Sequence, residues 1–229
     1  MRKLLLFLIW AMSAFMLSGC ATKTSNFHID FHIDTRHAYT APPAPSADAP
    51  TAYVADIVDG RVFVDKSYHL ENPTPAIASA EERARSIGIK RNGFLKILGD
   101  YKLKDGQTVQ SIVRSVLEDA LTESGFNVLH DAGAVTKDTF SLKGVIFKYW
   151  TWTDMGFWQL QLVTDIATNM KTENGDTFTI EATERLGCQF GTEKNALQSM
   201  NNSIGKFRSA AAAKFKEMRA KMPIRNADK

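Results

Sequence analysis

The order of segments along the chain predicts an α+β domain: an antiparallel sheet, made of a meander of three strands plus an N-terminal strand, packed by two main helices. Two observations carry this. Apolar residues recur in steps of three and four over 107–124 and over 193–222, and three β-rich segments, 140–153, 157–170 and 177–190, are separated by turn-forming residues. A third bounds it: 229 residues that are 44% hydrophobic and 23% charged have the composition of a globular chain, with room for one domain or two small ones.

The chain opens on a different pattern. Arg2 and Lys3 precede an apolar run of 14 residues from Leu4 to Leu17, broken only by Ser13, and Ser18, Gly19 and Cys20 follow. This is the charged, apolar, small-residue order of a secretory signal, and it is shorter than the roughly 20 residues that span a bilayer as a helix. From Ala21 to about Ala52 no helical pattern occurs, and Ala41-Pro42-Pro43-Ala44-Pro45 with Pro50 favours an extended linker. Four regions are expected: a signal peptide over 1–19, a tether from Cys20 over 20–52, one α+β domain over 53–222, and a disordered tail over 223–229.

Within the tether, Phe27-His28-Ile29-Asp30 is repeated at once as Phe31-His32-Ile33-Asp34, with His37 behind. Alternation reads as an edge strand. The competing reading is a metal clip through His28, His32 and His37. Same-face neighbours in a strand lie about 7 Å apart, so the imidazoles close on one ion only with distortion, and the strand is preferred.

The domain begins with a strand over Tyr53–Val64, with a turn or bulge expected at Asp59-Gly60. Helix formers crowd Ala76–Ser86, and Asn92-Gly93 between two short apolar runs predicts a hairpin. The 107–124 pattern predicts a helix capped by Gly125. Asp154-Met155-Gly156 and Glu173-Asn174-Gly175-Asp176 supply the turns of the meander. The last helix runs from about Glu193 to Met222 and stops at Pro223.

A search for catalytic patterns is negative. No GxSxG elbow, HExxH pair, phosphate loop or dinucleotide GxGxxG is present. Cys188 reads as a buried, inert thiol, His69 and His130 as isolated side chains, and Asp56 and Asp59 as solvated turn residues. An enzyme is therefore not expected, and no cofactor or metal is required. The aromatic run is the more promising feature. Phe147, Tyr149, Trp150 and Trp152 lead into the first meander turn and Phe157 and Trp158 lead out of it, so three of four tryptophans fall in nine residues. Tyr149, Trp150, Trp152, Phe157 and Trp158 are candidates for binding a partner if exposed, and otherwise close the open end of the core.

Leu17-Ser18-Gly19-Cys20 resembles the lipobox of bacterial lipoproteins. The resemblance implies a diacylglyceryl group on the Cys20 thiol, cleavage before it, and an N-acyl chain such as palmitate on the new amine. With Ala21 rather than aspartate next, it further implies the inner leaflet of the outer membrane, facing the periplasm. With the Ile87–Gly93 stretch, the helix ending at Gly125-Phe126, the meander and the final helix, the chain from about Ala52 to Met222 resembles the YajG-type family of outer-membrane lipoproteins. The FHID repeat and a longer stretch before the main helix depart from that family, which implies location and fold rather than a reaction.

The expected function is a non-catalytic periplasmic binding or envelope-assembly module with an envelope protein as partner. The alternatives are an auxiliary lipoprotein of an ABC-type lipid-transport system and an enzyme without a local signature. No nucleic-acid partner is expected, because the net charge is too small to suggest one by bulk electrostatics. The net +3 is made of an acidic body, −5 over residues 21–192, and a basic end, +6 over 193–229, with the remainder in the signal. That terminal helix is expected either to lie on anionic lipid or an acidic partner, or, as preferred, to be a core helix with a basic outer face.

Overall fold

A computed structural model describes residues 27–29, 45–46, 48–64, 74, 79–91, 97–104, 106–155 and 159–222. In chain order the elements are β1 (Phe27–Ile29), β2 (Thr51–Asp59), α1 (Ala80–Arg85), β3 (Ser86–Arg91), β4 (Ile97–Leu103), α2 (Val109–Glu123), β5 (Asn127–Leu129), a 3-10 turn (Ala132–Ala134), β6 (Phe140–Met155), β7 (Leu160–Thr172), β8 (Thr177–Cys188) and α3 (Glu193–Lys221). The α+β class holds.

Five strands form the main sheet in the order β5-β2-β6-β7-β8. The meander is antiparallel as expected, Thr151 lying opposite Thr164 and Thr164 opposite Glu184. The N-terminal strand corrects the expectation: β2 pairs in parallel with both β5 and β6, so the sheet is mixed. Parallel neighbours need a long crossover between them, and here β3, β4 and α2 lie in the crossover from β2. The bulge in β2 falls between Val54 and Asp56, not at Gly60, whose N–H donates to the Ile146 carbonyl at 2.9 Å.

A second sheet, β1-β4-β3, was only partly expected. The hairpin shows in the antiparallel pairing of β3 with β4; its Asn92-Gly93 turn lies outside the described residues. The FHID strand is there too, as Phe27–Ile29 in parallel with Tyr101–Leu103. Gly88 joins the two sheets closely. Its φ is +152°, and a Cβ there would fall 1.8 Å from the Thr151 carbonyl oxygen, so β3 can lie against β6 only without a side chain at that point.

Both long helices cover one face of the main sheet. Thr108 caps α2 by accepting from the Ser111 N–H at 3.0 Å, and Ser111 Oγ accepts from the Thr108 N–H at 3.1 Å. The helix ends in a Schellman motif: Gly125 has φ +85°, its N–H donates to the Thr122 carbonyl at 2.9 Å, and the Phe126 N–H donates to the Leu121 carbonyl at 3.0 Å. Leu121 and Phe126, fully buried, supply the apolar contact that accompanies it. Val113, Val116 and Leu117 of α2 and Met200, Phe207 and Phe215 of α3 meet Val54, Leu142, Ile166 and Met170 of the sheet in one core.

Candidate functional site

The aromatic run sits on a strand that changes phase. From Phe140, the even residues Leu142 and Ile146 face the helices and Lys143 and Val145 face outward, the valine 45% exposed. A bulge between Ile146 and Lys148 adds one residue. Beyond it the odd residues turn inward: Tyr149 joins the helix-side core, while Trp150 and Trp152 form a separate cluster with Val163 and Phe63. Tyr149, Trp150 and Trp152 are 0%, 5% and 7% exposed. Three of the five candidate aromatics are thus interior side chains as placed, closing the core rather than presenting a surface. Phe157 and Trp158 lie outside the described residues, as do Cys20, His32, His37 and His69 and the side chain of His28.

What closes the tryptophan cluster is Arg61, a residue that sequence reasoning passed over. Its side chain is fully buried. Nε donates to Asp59 Oδ1 and Nη2 to Asp59 Oδ2, both at 2.8 Å, the two-point geometry of a guanidinium on a carboxylate. The remaining donors are carried by backbone: Nη1 bonds the Ser86 carbonyl at 2.7 Å and the Tyr149 carbonyl at 3.1 Å, and Nη2 bonds the Arg83 carbonyl at 2.8 Å. The guanidinium therefore bridges the end of α1, the start of β3 and the middle of β6. Its carbon lies 4.8 Å from the Trp150 ring centroid and 5.1 Å from that of Phe63, and the Arg83 guanidinium carbon stands 4.7 Å from the same Phe63 ring. Phe63 meets Trp150 edge-on at 5.0 Å.

Asp59 is accordingly not a solvated turn residue; its side chain is only 9% exposed and its charge is matched by Arg61. Asp56 is exposed, as expected. A signal was present in the sequence. Asp59 and Arg61 are two apart, which in extended chain puts them on one side, next to an aromatic at Phe63. Burial of a charge is what could not be read from spacing.

Behind the strand, hydroxyls tie the sheet to α3. Thr151 Oγ1 and Thr164 Oγ1 lie 3.1 Å apart, and Thr164 Oγ1 and Ser199 Oγ 2.9 Å apart. Ser199 Oγ also donates to the Leu162 carbonyl and Ser203 Oγ to the Thr164 carbonyl, each at 3.2 Å. Burial pushes the Tyr101 hydroxyl up to about 12, against a smaller opposite pull from Thr153, and pushes Tyr149 further still, against the charge of Arg61. Cys188 is half-buried, and burial raises its thiol despite a hydrogen bond with Asn195. Among the described residues no group of three or more His, Cys, Asp or Glu side chains is placed to hold a metal ion. His130 stands exposed, 3.5 Å from Glu118.

The basic final helix is bound into the domain. Arg219 donates to the Ser124 carbonyl at the C-terminus of α2 at 3.0 Å, Lys206 pairs with Glu184 at 2.6 Å, and Arg208 and Lys216 each stand 3.9 Å from Glu123. Lys221 and Lys214 hold the Glu217 carboxyl down to about 2. Carbonyls of β2 and of the edge strand β8 also take side-chain donors. Arg114 donates to the Val54 carbonyl and Gln110 to the Ile57 carbonyl along β2, and Lys206 donates to the Thr183 carbonyl on β8.

No family model and no curated protein matches the chain. Among solved structures it is similar to an uncharacterized protein at 8% identity, covering 77% of this chain and 95% of that one with a TM-score of 0.43. A Xanthomonas campestris protein of the DUF330 family shares 8% identity over 80% of this chain and 97% of its own, with a TM-score of 0.42. A PelC dodecamer from Paraburkholderia phytofirmans shares 11% identity over 75% and 94%, with a TM-score of 0.33. At TM-scores this low, nothing is carried from those proteins to this chain.

Proposed function

We propose that this chain is a non-catalytic lipoprotein of YajG type, held by an acylated Cys20 in the inner leaflet of the outer membrane, whose α+β domain serves as a periplasmic binding or envelope-assembly module. The observation that carries the reading is Leu17-Ser18-Gly19-Cys20 closing a 14-residue apolar run behind Arg2 and Lys3. A single acyl chain holds only reversibly, whereas three chains on one cysteine anchor firmly. Attachment in this reading rests on lipid; among the described residues no helix is long and apolar enough to cross a membrane.

Two features of the domain support the rest. Most basic groups of α3 are engaged with Glu123, Glu184, Glu217 and the end of α2, which favours acyl chains over that helix as the source of membrane affinity. The buried charge of Arg61 is committed to Asp59 and three backbone carbonyls, an arrangement that shapes the domain rather than one poised to act on a substrate. The test is metabolic labelling with palmitate in a bacterial host, followed by separation of inner and outer membranes. The native chain is expected to take up label and sediment with outer membrane, and Cys20→Ser to lose both. Label-free native chain, or Cys20→Ser that stays in the membrane, overturns the proposal.

A further inference from the structure

β8 is the last strand of the main sheet, and its outer edge carries no strand. It pairs with β7 over all 12 of its residues without a bulge and has no other strand beside it. The hairpin fixes which groups point outward. Thr172 and Asp176 continue that register, and the Thr172 N–H donates to the Asp176 carbonyl at 2.9 Å, so the even residues of β8 bond to β7. The N–H and C=O groups of the odd residues, from Thr177 to Gly187, therefore point away from the sheet, and every one of these residues is exposed. Among the described residues, the Thr183 carbonyl alone takes a donor there, from Lys206 Nζ at 3.3 Å. A regular edge of about 40 Å, with neither proline nor bulge, is a template for another strand.

We propose that this edge is an interface between two copies of the chain: β8 pairs antiparallel with β8 of a second copy about a two-fold axis at Thr183, and the two main sheets become one. Charge selects the register. Pairing through the outward groups sets odd residues opposite odd and even opposite even. Centring on Glu181, Glu184 or Arg185 places like charges face to face, and centring on Ala182 leaves Glu181 and Arg185 opposite threonines. Centring on Thr183 places Glu181 opposite Arg185 of the second copy, twice by symmetry, and Thr179 opposite Gly187. The outward residues from Thr179 to Gly187 then exchange about ten hydrogen bonds across the axis.

The covered side of the strand fits the same register. Phe178, Ala182 and Leu186 are half-buried against the core, and across the axis Ile180 meets Leu186 and Phe178 meets Cys188 of the second copy. α3 leaves room for this. Ser199 and Ser203 bond carbonyls of β7, while Asn202 and Lys206 reach Glu184 on β8, which sets the helix over the β7–β8 pair. Its axis is then about 5 Å from the two-fold axis and about 10 Å from its counterpart, an ordinary distance between packed helices. Gly205, Ser209 and Ala213, on the same helix face as Asn202, are small, and a Cβ at Gly205 would meet nothing within 4 Å. Lys206 gives up the Thr183 carbonyl on pairing and keeps Glu184, 2.6 Å away.

Disulfide trapping in the full chain tests the interface, with Cys20 and Cys188 changed to serine so that acylation plays no part. Thr183→Cys stands opposite itself across the axis, within the span of a disulfide, whereas Thr179→Cys is about eight residues, or about 27 Å, from its counterpart. Under mild oxidation Thr183→Cys is expected to form a covalent dimer and Thr179→Cys to stay monomeric. Adding Glu181→Arg to Thr183→Cys should slow closure roughly fivefold or more, and adding Arg185→Glu as well should restore it. Absence of the Thr183→Cys dimer overturns the proposal. So does equal closure at 179 and 183, which marks random encounter, and so does closure that ignores the charge reversal or is not restored by the exchange.

Discussion

The two halves of β6 are one strand in two environments. Before the bulge, residues 140–146 follow the ordinary rule of a half-covered sheet: Leu142 and Ile146 meet the helices, and Lys143 and Val145 face outward. After it, residues 149–153 are buried on both sides. The inner side is closed by α3 through Thr151, Thr164 and Ser199, and the outer side by Phe63 and the Arg61 guanidinium over Trp150. The difference is not in the strand's own residues alone. It arises where β2 leaves the side of β6 and β3 arrives, with Arg61 bonding a carbonyl on each of β3 and β6 where the ladder from β2 has ended.

The sharpest way to break this contrast is to remove the guanidinium. Arg61→Ala leaves the Asp59 carboxylate buried without its partner and strips donors from the Ser86, Tyr149 and Arg83 carbonyls, so a loss of about 3–5 kcal/mol is expected. Urea unfolding measures it, and a loss below about 1 kcal/mol shows that the bridge is dispensable. Next in size is a comparison across the bulge. Trp150→Ala should cost about 3 kcal/mol, as large-to-small changes in a core do, and Val145→Ala less than about 0.5 kcal/mol. Equal losses from the two would mean that the halves are covered alike.

A further effect is in pH. Tyr101 and Tyr149 have hydroxyls raised by burial, to about 12 and beyond, so between the ordinary tyrosine value near 10 and those raised values the native state keeps protons that the unfolded state gives up. Stability is therefore whole below about pH 10 and falls above it, by about 1.4 kcal/mol per pH unit for each tyrosine. Urea midpoints between pH 9 and 11 should show this slope, and Tyr149→Phe should reduce it. A slope unchanged by that substitution would place the titration elsewhere.

Much of the fold was legible because it is local. Val109 to Leu121 repeats at helical spacing, and Gly125 ends α2 as its position foretold, since a left-handed residue is needed there and glycine takes it freely. The hairpin of β3 and β4 and the meander announced themselves through alternation and turn residues, although Asp154 and Met155, expected in the first meander turn, pair as strand with Gln161 and Leu160. The candidate site fared differently. The aromatic cluster was visible as composition, yet the face each ring takes depends on one inserted residue near Ile146, and a bulge leaves no mark in an alternating sequence. Arg61 looked like any surface cation beside a turn.

By itself, then, the amino-acid sequence determined the two amphipathic helices, the antiparallel meander and the presence of a repeat with strand alternation. These depend on neighbours within a few residues, where periodicity and turn chemistry act. Only the tertiary structure decided that β2 runs parallel between β5 and β6, that the first FHID copy lies along β4, and that Arg61 is buried over Trp150. Each of these joins residues from distant parts of the chain. The physical reason is that a buried charge or a parallel strand is stable only when every group around it finds its partner at once, and that condition belongs to the assembled fold.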